Sequence, residues 1–187
     1  MALTISGTSN GKLGNLSLSA STGDILDSAN TTFFAGDTWR ISSNLTVTTA
    51  NVDQDITANW ERVDDSGAGY LGSGMSESSG VFTFPSTGIW LLHWCGGFTH
   101  SSTIDYAAMM LRITTDNSSY SANVTENYIA FAAGDYSSMC GFYIIDVTDT
   151  SNVKVKFEVR SSDSGTTMRG QTDESQTYAV FVRLGNT

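Results

Sequence analysis

The chain has 187 residues, a formal net charge of -10 at pH 7 and nine basic against 19 acidic residues. That length holds one domain able to bury a core without metals or cross-links. The scattered Lys and Arg exclude a nucleic-acid partner, which needs basic clusters on phosphates, and no run reaches the roughly 20 apolar residues of a membrane helix, so no membrane insertion is expected.

Residues 1 to 36 hold Leu3, Ile5, Leu13, Leu16 and Leu18 in a Ser, Thr, Gly and Asn background. Such a stretch buries little by itself. It is expected either to dock as an arm against a neighbour or to remain a flexible tail. The opening Met-Ala-Leu-Thr-Ile lacks a secretion signal's basic and apolar regions, so synthesis in a cytoplasm is expected.

From residue 37 onward, strand patterns follow at short spacing: Trp39 to Val47, Ile56 to Val63, Gly80 to Phe84, Ile89 to Phe98, Tyr106 to Ile113, Tyr128 to Phe131, Met139 to Val147, Val153 to Val159 and Tyr178 to Leu184. Turn chemistry separates them, as at Asp64-Asp65-Ser66-Gly67 and Asp163-Ser164-Gly165. With 26 serines and 24 threonines and no helical periodicity, the chain reads as all-β, an antiparallel jelly-roll sandwich of about ten strands.

Counting apolar faces sorts the strands. Val153 to Arg160 alternates apolar and charged residues, so one face is core and the other water. Phe82, Phe84, Val155 and Phe157 are its outer-sheet core candidates. Ile89 to Trp94, Phe142 to Ile145 and Tyr178 to Val182 are apolar on both faces, and such strands must be covered twice. Aromatic residues concentrate there as they do in interface cores. Trp90, Leu92, Trp94, Tyr143, Ile145, Tyr178 and Phe181 are therefore placed on the inner sheet or at a subunit interface that removes its exposed apolar face.

The segment Gly80-Val81-Phe82-Thr83-Phe84-Pro85-Ser86-Thr87-Gly88-Ile89-Trp90 resembles the joint between two strands in globular heads of the complement-one-q and tumour necrosis factor type. The closing strand Thr177 to Leu184 and Gly134-Asp135 resemble that family as well. The resemblance covers roughly residues 37 to 187 and implies a TNF-like jelly roll with three copies packed through the inner sheet. Residues 1 to 36 contain neither a collagen-like repeat nor a membrane-anchor segment, so the complement and cytokine contexts of that family are not expected. Trp60-Glu61-Arg62-Val63-Asp64 and Gly69-Tyr70-Leu71-Gly72-Ser73-Gly74-Met75 resemble stand-alone heads among virion proteins of tailed bacteriophages. What this implies is a homotrimeric, non-enzymatic decoration, cement or head-fibre protein of the phage capsid. It would be displayed at the virion surface and bound to the major capsid protein or other virion proteins through residues 1 to 36. The alternative is a tail-fibre or tail-tip module that recognises a host surface glycan or protein through loops carrying Tyr70, His100, Asp105 and Arg169.

Catalytic chemistry is sparse. There is no nucleophile elbow, phosphate loop or dinucleotide fingerprint, so neither an enzyme nor a cofactor is expected. His93 and Cys95 share a strand face, yet a zinc site needs three or four ligands, and a packed histidine near an interface is the expectation. Cys95 and Cys140 each sit in an apolar strand. They are read as buried thiols rather than a pair, since disulfides are rare in proteins made under reducing conditions. Asp53, Asp55, Asp64 and Asp65 are weak calcium candidates, because paired acids are also what a solvated turn looks like.

Overall fold

The computed structural model describes residues 35–121 and 127–187. The anticipated N-terminal arm thus lies, up to residue 34, outside the described residues. Among those described there are thirteen strands and no helix: β1 Gly36–Ile41, β2 Ser43–Thr46, β3 Gln54–Asp55, β4 Trp60–Arg62, β5 Ser76–Ser78, β6 Val81–Thr83, β7 Gly88–Thr99, β8 Ile104–Thr114, β9 Tyr128–Phe131, β10 Tyr136–Val147, β11 Lys154–Ser161, β12 Thr167–Gln171 and β13 Tyr178–Gly185. All pairings are antiparallel, and the strands form two sheets.

One sheet is built around β7, which pairs along its length with β10 on one side and with β13 and then β12 on the other. β1 lies between β13 and β4, and β2 extends the sheet beyond β12. The second sheet runs β5-β6-β11-β8-β9, with β3 also pairing β11.

The joint that stood out in the sequence changes sheets here. β6 belongs to the β11 sheet and β7 leads the other. Gly80 and Gly88 frame it with φ of 84° and 136°, and a Cβ at Gly80 would stand 2.2 Å from the Ile56 carbonyl oxygen. Both positions require a backbone that residues with side chains rarely adopt.

Two strands expected as continuous are shorter than their patterns. Residues 39–47 divide at Ser42 into β1, paired with β13, and β2, paired with β12. Of residues 56–63 only β4 is strand, paired with β1; residues 56–59 carry the chain across from β3, which precedes them at 54–55 and belongs to the β11 sheet. The crossing uses Asn59 at φ 65°, whose carbonyl accepts the Ser42 N–H at 2.8 Å. β5 and β12 escaped the sequence pattern because they are short and polar; Ser76 and Ser78, for instance, are exposed.

The core between the sheets is largely aromatic. Phe82 meets Trp60 at 5.0 Å and Phe181 at 5.1 Å between ring centroids, and Phe84 meets Trp90 at 5.2 Å. Edge-on and tilted rings at these separations are the favoured geometries. Each indole N–H has a partner: Trp39 donates to Asp37, Trp60 to the Ile56 carbonyl, Trp90 to that of Ser86 and Trp94 to that of Met109. Gly141 lies opposite Trp94 on β10, where a Cβ would be 2.6 Å from the indole. Its missing side chain is the space the Trp94 ring occupies.

The β11 sheet departs from expectation on its outward face. Phe82, Val155 and Phe157 are fully buried inward, but the charged row opposite is not simply solvated. Lys156 pairs with Asp55 at 2.6 Å and Glu158 at 3.0 Å; Arg112 pairs with Glu158 at 2.5 Å and Asp53 at 2.6 Å. Glu158 and Arg112 are buried, as are Ala108 and Met110 beside them on the same face. Tyr120, bridged to Thr114, places its ring 4.8 Å from the Lys156 ammonium. Burying such charges is tolerable only when they are paired and hydrogen-bonded, which this ladder provides.

Candidate functional site

Strand alternation gives β7 two faces. Trp90, Leu92, Trp94 and Phe98 point into the core, while Ile89, Leu91, His93 and Cys95 point away. The register extends the outward set across three strands. Phe142, His93 and Val180 form one row, and Ile144, Leu91 and Val182 the next. Cys140, Cys95 and Tyr178 form a third row, continued by Arg40 on β1.

Among the described residues this face is apolar and uncovered. Phe142 is 71% exposed and Ile144 55%, and Val182 and Leu184 are also open. Monomers rarely leave contiguous apolar patches in water, so the face is the strongest feature the molecule offers to a partner. Its flank is charged and ordered. Arg40 is fully buried, with its guanidinium held by Glu61 at 2.7 Å, Asp64 at 2.9 Å and Asp65 at 2.6 Å. Burial works against its charge, but the Glu61 and Asp65 bonds prevail and its pKa is raised.

The seven inner-sheet candidates divide by face. Trp90, Leu92, Trp94, Ile145 and Phe181 are buried inward and Tyr143 packs against the same core; Tyr178 lies on the outward side. The residues that sequence reasoning left out of the set, Leu91, Phe142, Ile144, Val180 and Val182, form the open surface. Their signal was present in the two-faced pattern of β7, β10 and β13, but aromatic content drew attention to the buried side.

Cys95 and Cys140, read as free thiols, form a disulfide across directly opposed residues of β7 and β10. The correction follows from register. Forty-five residues separate them in sequence, and only the β7–β10 pairing brings them together. Cys140 also supplies what the His93 and Cys95 pair lacked, since all three ligand atoms lie within 4.8 Å of one another.

The acidic calcium candidates are counter-ions. Asp53 is held by Arg112 and, at 3.7 Å, by Arg160; Asp55 by Lys156; Asp64 and Asp65 by Arg40.

The four loop candidates do not converge. Tyr70 stacks on Arg62 at 4.6 Å, and the neighbouring Leu71 bridges Gly36, whose partner Val182 lies opposite Leu91. His100 follows the far end of β7, roughly 30 Å from Leu91 at about 3.3 Å per residue, and its Nδ1 accepts the Ser102 N–H at 2.9 Å. Asp105 is exposed and lies on β8, its N–H donating to Ser162. Arg169, expected in a loop, lies on β12 with its guanidinium 4.1 Å from the Tyr136 ring. Thus Arg169 and His100 lie towards one end of the sandwich and Tyr70 towards the other.

Turn carboxylates set the response to acid. Asp116 accepts the N–H groups of Ser119 and Ser118 and the Thr114 hydroxyl, which hold it well below its ordinary value of 3.8. Asp149 is lowered by the Ser151 hydroxyl and N–H. For Asp55, burial raises the pKa, but the hydrogen bonds to Lys156 and Glu158 and the charges of Lys156 and Arg112 together outweigh it and the net shift is down. Depressed acids contribute stability that is complete above their unfolded pKa and lost as pH falls through the folded one. The melting temperature is therefore expected to fall as pH drops below about 4; an unchanged melting temperature down to the lowest folded pH would contradict these assignments.

Among solved structures, Eiger TNF from S. frugiperda matches with a TM-score of 0.61 at 12% identity, covering 83% of this chain and 95% of that one. Murine APRIL at pH 5.0 matches with a TM-score of 0.58 and at pH 8.5 with 0.54; both are 12% identical and cover 81% of this chain and 99% of the other. No protein-family model matches the sequence. No curated protein matches it either. At such identity the likeness is one of fold, and it agrees with the strand pairing above: the chain is a TNF-like jelly roll of two antiparallel sheets.

Proposed function

We propose that this chain is a non-enzymatic structural protein of a phage particle, assembled as a homotrimer through the outward face of the β7 sheet and displayed on the capsid as decoration, cement or head fibre. The observation that carries the reading is the open apolar surface of Phe142, Ile144, Val182 and Leu184, which a second and third copy would cover. Residues 1–36 are assigned to docking on the major capsid protein or other virion proteins. A net charge of -10 favours solubility and mutual repulsion among crowded copies. The carboxylates engaged with Arg and Lys favour a structural over a catalytic role. Synthesis in the host cytoplasm and display at the virion surface belong to the same proposal.

A second reading, a tail module that recognises a host surface glycan or protein, draws on one feature. Tyr136 is 68% exposed and stacked with Arg169, and an exposed aromatic face with a polar tip suits recognition of a partly apolar ligand. Copy number separates the two. Quantitative mass spectrometry of purified particles is expected to find dozens to hundreds of copies per particle. A handful would place the protein in the tail and overturn the capsid reading.

A further inference from the structure

One cluster of side chains offers metal-binding chemistry beyond the disulfide it supplies to the fold. His93 and Cys95 lie two residues apart on the outward face of β7, and Cys140 opposes Cys95 from β10. Their ligand atoms all lie within 4.8 Å of one another, and His93 Nε2 stands 3.8 Å from Cys95 Sγ. The geometry points to a redox-gated metal site: with the disulfide reduced, His93, Cys95 and Cys140 bind one zinc-class divalent ion, and closure of the disulfide excludes it.

Bond lengths support this. Zinc binds sulfur at about 2.3 Å and nitrogen at about 2.0–2.1 Å in a tetrahedron, which implies roughly 3.6 Å between a nitrogen and a sulfur ligand and roughly 3.8 Å between two sulfurs. The His93 and Cys95 atoms are already near that separation at 3.8 Å. Only the two sulfurs must move apart, and Cys140 is exposed, so rotation about its Cα–Cβ bond meets solvent rather than core. Two thiolates and an imidazole are a borderline-soft set that suits zinc over calcium or magnesium. Three protein ligands leave the fourth position to water.

The gating step needs a reductant, here two molecules of a low-molecular-weight thiol. The Cys95–Cys140 S–S bond breaks, the pair gains two electrons and two protons, and the two reductant sulfurs join in a new disulfide. On metal binding each cysteine thiol gives its proton to solvent, while neutral His93 offers its Nε2 lone pair. A reducing cytoplasm would keep the site open to metal, and oxidising surroundings would close it. All three ligands come from one chain, so the site needs no second copy; it lies on the face that the proposed trimer would cover, and metal is therefore bound before assembly.

The test uses the full chain, reduced with the two thiols verified by labelling, and titrated with cobalt(II) and then zinc(II); circular dichroism and oligomeric state are followed in parallel. The expected result is one cobalt per chain with thiolate-to-cobalt charge-transfer absorption, displaced by zinc and absent from the oxidised chain. Cys140→Ser should remove the charge-transfer band. His93→Ala should weaken binding by more than the roughly 10- to 100-fold that even an outer-shell change costs. A folded, reduced chain without thiolate-to-cobalt absorption, or equal affinity in His93→Ala, overturns the site and assigns His93 to packing against Tyr178. Where reduction unfolds the chain, zinc added beforehand is the second readout. Retention of the folded signal in the parent but not in His93→Ala supports the site, and equal loss in both overturns it.

Discussion

Phe142→Asp is expected to give a folded, soluble monomer in place of a trimer, whereas Phe181→Asp is expected to give no folded protein. The two residues lie in the same sheet and differ in which face they occupy. Phe142 is 71% exposed in the single chain, so a charge there costs the monomer little, within the roughly 0.5 kcal/mol typical of surface changes. In a trimer that buries the face, the same carboxylate loses its water without gaining a partner, and association fails. Phe181 is fully buried and touches the rings of Phe82, Phe84 and Phe157. Its replacement leaves both a cavity and an unpaired charge, a combination that exceeds about 4 kcal/mol. Light scattering with size exclusion reads the first variant, and circular dichroism the second. A Phe142→Asp chain that remains trimeric would move the interface off this face.

The second large effect concerns the cross-link. Changing Cys95 and Cys140 together to Ser is expected to lower unfolding stability by about 4 kcal/mol. The bridge closes a loop of 45 residues, and chain-entropy reasoning gives roughly that value for a loop this long. The chain should remain folded, because its core is built from the aromatic cluster rather than from the bridge. Denaturant unfolding of the oxidised parent and the double variant measures the difference. A difference below about 1 kcal/mol would mean that the unfolded parent gains little from being constrained.

Much of this architecture could be read from residue order. The two-faced apolar patterns of β7, β10 and β13 identified the sheet with an uncovered side, and the alternation in β11 identified the other. What alternation cannot supply is which face turns inward. On β7 both faces are apolar, and Trp90 and Trp94 were as good candidates for an interface as for a core. The structure decides because Phe84, just past β6, meets Trp90 there and Phe157 of β11 meets Trp94. Pairings between distant segments were also hidden. The disulfide, the Arg40 cluster with Glu61, Asp64 and Asp65, and the ladder from Asp55 to Arg160 all join residues that only strand register brings together. The carboxylates thus looked free in the sequence and are engaged in the fold. Breaks within a pattern, at Ser42 where the chain changes partner strand and near Asn59 where it changes sheet, are not recorded by apolar periodicity.

β1 is clasped between β4 and β13, with Asp37 opposite Phe181. The first strand of the head therefore waits for the last. Until residues 178–185 have left the ribosome, one side of β7 and one side of β1 lack their partners, and the apolar row meant for β13 stays open. Folding of this domain can be completed only once β13 has emerged, and long-range closure of this kind is slow. During that interval the nascent chain presents unpaired strand edges to its neighbours. Identical chains made side by side in quantity are thus most prone to mispairing at the stage just before the final strand docks.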